Sequence, residues 1–199
     1  MSDTRRNHVV DAFTLLAAGG GALLVCNGAH VAPSAWSVAY VVLVLVVGRV
    51  VALGVHELGH LVAAAIGGWR WDVFKVGPLL LSRETGVCKV TLRGGRRFAA
   101  AGLVLTRPVS AATDTRGRHL LMLSGGPAAS AVFAFAAATA SRAVSAPLGQ
   151  VALGVTAVFS AIVCVTTLLP FVSSGNPSDG ASILALVRER TAARPGHAR

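Results

Sequence analysis

His56-Glu57-Leu58-Gly59-His60 is the one run in this chain whose residue types and spacing announce chemistry. On a helix, histidines at i and i+4 lie one turn apart on one face, where both can reach a single zinc ion, and the glutamate between them can take a proton from the water such an ion activates. The run sits inside an apolar stretch from about Trp36 to Ile66. Charge and imidazole are costly in hydrocarbon, so ionisable residues at that depth point to a functional site. Arg49 lies seven residues before His56, on nearly the same helical face. It reads as a buried partner for Asp11 or for a substrate carbonyl, or as an Arg whose stem packs while its head finds water.

The elements that must position this run are membrane helices. Of 199 residues, 54% are hydrophobic and 13% charged, against about 25% charged in soluble domains. Four apolar stretches are long enough to span a bilayer, which takes about 20 helical residues. They are residues 10–31, 36–66, 120–140 and 151–169. The expected fold is therefore an all-α polytopic membrane protein, a single domain over 1–199 with about four transmembrane helices. The first stretch is longer than a signal-peptide core and lacks a convincing cleavage site, so it reads as a retained helix.

The net charge of +10 follows the same topology. Ten of the 18 Lys and Arg residues fall between the second and third stretches, two precede the first and four follow the fourth. By the positive-inside rule both termini and the long loop face the cytoplasm, in a bacterial cell membrane. No nucleic-acid motif accompanies the charge, so the expected partner is the bilayer and not nucleic acid. Cys26, Cys88 and Cys164 stand singly, without a CxxC pair.

The loop, residues 67–119, is not membrane-like. Trp69, Trp71 and Val73 alternate with polar neighbours, as do residues 87–93, and Gly77-Pro78, Glu84-Thr85-Gly86 and Gly94-Gly95 punctuate them. This predicts two to four short strands in β-hairpins against the membrane surface. An exposed edge there could pair with an extended peptide, or the strands could simply cap the core.

A catalytic zinc takes three protein ligands and keeps an open fourth position. His56 and His60 supply two. The chain returns to their depth past the fourth stretch, where Leu168-Leu169-Pro170 gives way to a polar turn and a short helix over 173–189. Asp179 in that turn is the best-placed third ligand. Its ordinary alternative is to cap the short helix. Gly125-Gly126-Pro127, in the third stretch, reads on its own as a packing kink.

Taken together, HELGH in a membrane helix, a Gly-Pro motif in a later helix, and Leu-Leu-Pro followed by Asp-Gly resemble the site-2 protease family of intramembrane zinc metalloproteases. The resemblance spans roughly Val42 to Leu186 as an architecture, with specific motifs over about twenty residues. It implies one zinc ion held by His56, His60 and Asp179, with Glu57 as general base, and a membrane-tethered peptide or protein as substrate. The family has an asparagine three residues after the Gly-Pro proline, where this chain has Ser130, and one before Leu-Leu-Pro, where it has Thr167. The gap from Pro170 to Asp179 is also longer than usual. Ser130 and Thr167, with Asn176 as a further amide, are the expected substrate-positioning residues. Two other functions fit the same residues: a catalytically inactive zinc-binding membrane regulator and a small ion transporter. Intact Glu57 argues against the first and the lack of an internal repeat against the second.

Overall fold

The computed structural model describes residues 19–21, 23, 26–27, 34–84, 87–92, 102–173 and 176–192. Three of its helices are long and apolar enough to cross a membrane. They are α1 (Ala35–Ile66), α2 (Arg116–Ala143) and α3 (Pro147–Leu168). A shorter helix, α4 (Asp179–Ala192), follows. Of the expected first span only 19–21, 23 and 26–27 are described; they are helical, and the rest lies outside the described residues.

Local chemistry sets the helix ends. Ser34 and Ser37 form a reciprocal capping box at the start of α1, with the Ser37 amide donating to Ser34 Oγ at 3.1 Å and the Ser34 amide to Ser37 Oγ at 2.7 Å. The helix closes at Gly67, and Gly68 adopts φ +73, a left-handed conformation that suits glycine. Pro147 opens α3, where its missing N–H costs nothing. At 32 residues, α1 is about 48 Å long. That exceeds a bilayer core of about 30 Å.

Side-chain contacts give the register of the bundle. Tyr40 Oη donates to the Leu148 carbonyl at 2.8 Å, and Gly48 faces Thr156 and Phe159, so α1 and α3 run parallel. Between them Val44, Ala52, Val151, Val155, Phe159 and Val163 form the buried core. The antiparallel α2 meets α1 where Gly59 and Gly125 bring the two backbones together. A Cβ on either glycine would overlap the other's carbonyl, which is why small residues stand at this crossing.

The all-α expectation is overturned. Residues 67–119 contain a four-stranded antiparallel sheet: β1 (Trp69–Val76), β2 (Leu79–Glu84), β3 (Val87–Leu92) and β4 (Gly102–Pro108), in the order β3-β2-β1-β4. A two-stranded ribbon of β5 (Val172–Ser173) and β6 (Asn176–Pro177) precedes α4. The described chain is a helix bundle joined to a sheet, with three membrane-length helices among the described residues where about four were expected. The alternation predicted hairpins; the additional element is β4, which pairs with β1 and brings a distant segment back to the bundle.

The sheet is fastened to the helices at two places. Val76 packs against Gly54 of α1, and Gly102, the first residue of β4, abuts the Glu57 side chain. Buried Trp69 donates its indole N–H to the Thr113 carbonyl at 2.7 Å and meets the His119 ring edge-on, with centroids 4.4 Å apart. These contacts fix the sheet to the ends of α1 and α2, so β4 enters the metal region as an edge strand.

Candidate metal centre

His56, Glu57 and His60 are all buried on the α1 face turned into the bundle. The two imidazoles stand nearly perpendicular, at 87° with centroids 4.8 Å apart, and their Nε2 atoms are 3.2 Å from each other. Asp179 Oδ2 lies 3.2 Å from His56 Nε2 and 3.4 Å from His60 Nε2. Three donor atoms from two distant parts of the chain thus converge on one point. His56, His60 and Asp179 form a group that could hold a metal ion.

The outer partners explain which nitrogen faces the metal. His60 Nδ1 lies 2.8 Å from the Met122 carbonyl, which can only accept, so Nδ1 carries the proton and Nε2 keeps its lone pair. Pro127, having no N–H, leaves the neighbouring Leu123 carbonyl without its helical donor. His56 Nδ1 is 3.1 Å from Ser130 Oγ, whose side chain is 0% exposed. The Ser130 oxygen can accept that proton and leave Nε2 free. Such outer partners orient metal-binding histidines, and losing one costs roughly 10–100-fold in affinity. Ser130→Ala is accordingly expected to weaken metal binding by that factor while leaving the helices intact. Competition with a chromogenic chelator measures it.

Glycine makes room for the ligands. A Cβ on Gly126 would collide with both imidazoles. One on Gly180 would strike the Leu168 carbonyl at the end of α3, so the Asp-Gly pair lets α4 begin against that helix. Ser178 holds the junction. Its Oγ donates to the Leu169 carbonyl at 2.6 Å and accepts the amides of Phe171 at 3.2 Å and Ala181 at 3.1 Å. The capping role considered for Asp179 therefore belongs to Ser178, and Asp179 is free to point at the histidines.

Burial opposes ionisation of Asp179. Hydrogen bonding and proximity to the His56 and His60 rings outweigh it and hold the pKa down at about 2. The residue is a carboxylate throughout the neutral range. When both Nε2 atoms turn their lone pairs toward it, the buried Oδ2 has no hydrogen-bond donor, and three lone-pair sites face one another. Only a cation satisfies all three.

Glu57 stands apart from this trio, close enough for its charge to be felt by His56, His60 and Asp179, with Gly102 of β4 against its carboxylate. Of the residues expected to position substrate, Ser130 instead lies behind His56. Thr167 spends its hydroxyl on the Cys164 carbonyl of its own helix at 3.3 Å, and Asn176 sits exposed in β6. Gly102, Met122, Gly126 and Ser178 enter the site without having been expected there. Only the Gly125-Gly126-Pro127 run carried a visible signal. No protein-family model, curated protein or solved structure matches this chain.

Proposed function

We propose that this chain is an intramembrane zinc metalloprotease, cutting peptide bonds in or beside the membrane segment of a membrane-tethered substrate. The convergence of His56, His60 and Asp179 beside a glutamate that is not one of the three carries the reading. Donors held at about 2.0–2.1 Å from a tetrahedral zinc stand about 3.3–3.4 Å apart. The separations of 3.2, 3.2 and 3.4 Å match that triangle. Two imidazoles and one carboxylate also suit a catalytic zinc, which keeps a position open, better than a closed structural site.

When bound, zinc would lower the pKa of a water molecule and polarise the scissile carbonyl. The chain's own groups do the rest. Glu57 takes the proton from the attacking water and passes it to the leaving amine. Met122 and Ser130 keep the two imidazoles in the tautomer that presents Nε2. β4, an edge strand whose first residue touches Glu57, is placed to hold an unwound substrate backbone by strand pairing. Local unwinding is needed because a membrane helix hides its peptide groups in hydrogen bonds. The basic sheet and both termini lie on the cytoplasmic side in this reading.

The test is metal-dependent cleavage of a single-span reporter by the full-length protein in proteoliposomes. Chelation is expected to stop cleavage, zinc to restore it, and metal analysis to give about one zinc per chain. Cleavage that survives complete metal removal would overturn the reading.

A further inference from the structure

Arg49 has no place in the chemistry above, yet α1 aims it at the same space. It precedes His56 by seven residues and His60 by eleven, so at 100° per residue its bearing falls between theirs, about 20° from each. Gly48 and Ala52 on the same side of the helix are buried, and Arg49 itself is half-buried. It is the one formal cation in the middle of the three membrane-length helices. No carboxylate pairs with it among the described residues.

Its surroundings offer little else. The contact of Gly48 with Thr156 puts α3 residues 156–160 at this depth; the Thr156 hydroxyl is already given to the Ala152 carbonyl, and Ser160, 0% exposed, holds a neutral hydroxyl with no hydrogen-bond partner. Continuing α2 from the Ser130–His56 contact brings up Phe133 through Ala138, which have no polar side chain. The first segment packs Gly21 against Val158 at the same level, and a Cβ on Gly19 or Gly20 would meet nothing within 4 Å. Arg49 thus stands half-buried on the histidine-bearing side of α1, at the level of an apolar run of α2 and of one buried neutral hydroxyl on α3, Ser160. A charge in such a setting is retained for a partner.

We propose that Arg49 is a specificity subsite for an acidic side chain on the substrate's membrane segment, an inference that rests on the protease reading. Seven helical residues separate Arg49 from His56 by about 10 Å. An extended peptide covers that distance in about three residues. The acidic residue therefore sits about three residues from the scissile bond, on the side that runs deeper into the membrane. A guanidinium accepts a carboxylate through two parallel hydrogen bonds, which an amide of the same shape cannot match.

The probe is a fluorescent single-span Leu-Ala peptide with one Gly-Pro break and one Asp, moved residue by residue, or Asn in its place. Binding is measured in nanodiscs on full-length Glu57→Gln protein, and cleavage separately on the unaltered protein. The expected result is at least roughly tenfold tighter binding of Asp over Asn at one position, about three residues from the mapped cut. Arg49→Gln should erase that preference, and Arg49→Glu should transfer it to a Lys peptide. Equal binding of Asp and Asn peptides at every position overturns the proposal, as does a preference that survives Arg49→Gln. Non-additive stability losses for Arg49→Gln and Asp11→Asn, with no peptide preference, would assign Arg49 to its own chain and also overturn it. Asp-dependent binding without any cleavage would sustain the subsite and sink the protease reading.

Discussion

Replacing Glu57 by Gln is expected to lower cleavage by a factor of roughly 10²–10⁴ while about one zinc per chain remains bound. The two halves of this result come from different atoms. A bound metal would see Nε2 of His56, Nε2 of His60 and a carboxylate oxygen of Asp179, which already stand 3.2–3.4 Å from one another. Glu57 belongs to the same helix but lies to the side, with Gly102 pressed against its carboxylate. Glutamine preserves that shape and keeps β4 in place, but it cannot take a proton from water near neutral pH. Reporter cleavage in proteoliposomes gives the first half and metal analysis of the same preparation the second. Residual cleavage near the original rate, or zinc lost along with activity, would remove Glu57 from the role of base.

Asp179→Ala is expected to do the reverse and empty the site. Two imidazoles remain, but neither their geometry nor their charge holds a divalent ion as a third anionic ligand does. The loss should exceed the roughly 10–100-fold typical of an outer partner, leaving the purified variant with little zinc and no cleavage. The helix that carries Asp179 should survive, because Ser178 supplies the cap at its start. Circular dichroism of the variant should therefore match the parent. Full zinc occupancy in Asp179→Ala would mean that another residue is the third ligand.

The parts of the site that could be read from the chain were those set by local geometry or by counting membrane crossings. His56 and His60 share a face because four residues make one turn, whatever the rest of the fold does. Asp179 could be found because a fourth apolar stretch returns the chain to the same depth. The contact of Ser130 with His56 could not be read from the chain, for a different reason. Which way it points depends on the phase of α2, and that phase is set by the backbone contact of Gly59 with Gly125. Ser178 and Asp179 are adjacent residues that can both cap a helix; only the hydrogen bonds to Leu169, Phe171 and Ala181 decide between them. Alternation predicted hairpins in residues 67–119, but pairing of β4 with β1 joins residues 26 to 39 positions apart. No local pattern specifies such a partner, and the all-α description failed for lack of it.

The Asp-Gly junction has a consequence for how the protein matures. Residues 56 and 179 are more than a hundred positions apart, and one ion bridging them would fasten the last described helix to the first described membrane-length helix as a clasp fastens a strap. Closing so long a loop costs entropy, and metal binding offsets that cost. Under the proposed function, zinc loading would thus be a step of assembly as well as of activation. A freshly made, metal-free chain would keep its three long helices but hold α4 through Ser178 and its packing on α2 and α3 alone. The stretch around residues 170–178 would then be open to nicking by an added protease, so its protection provides a readout of metal loading that needs no substrate.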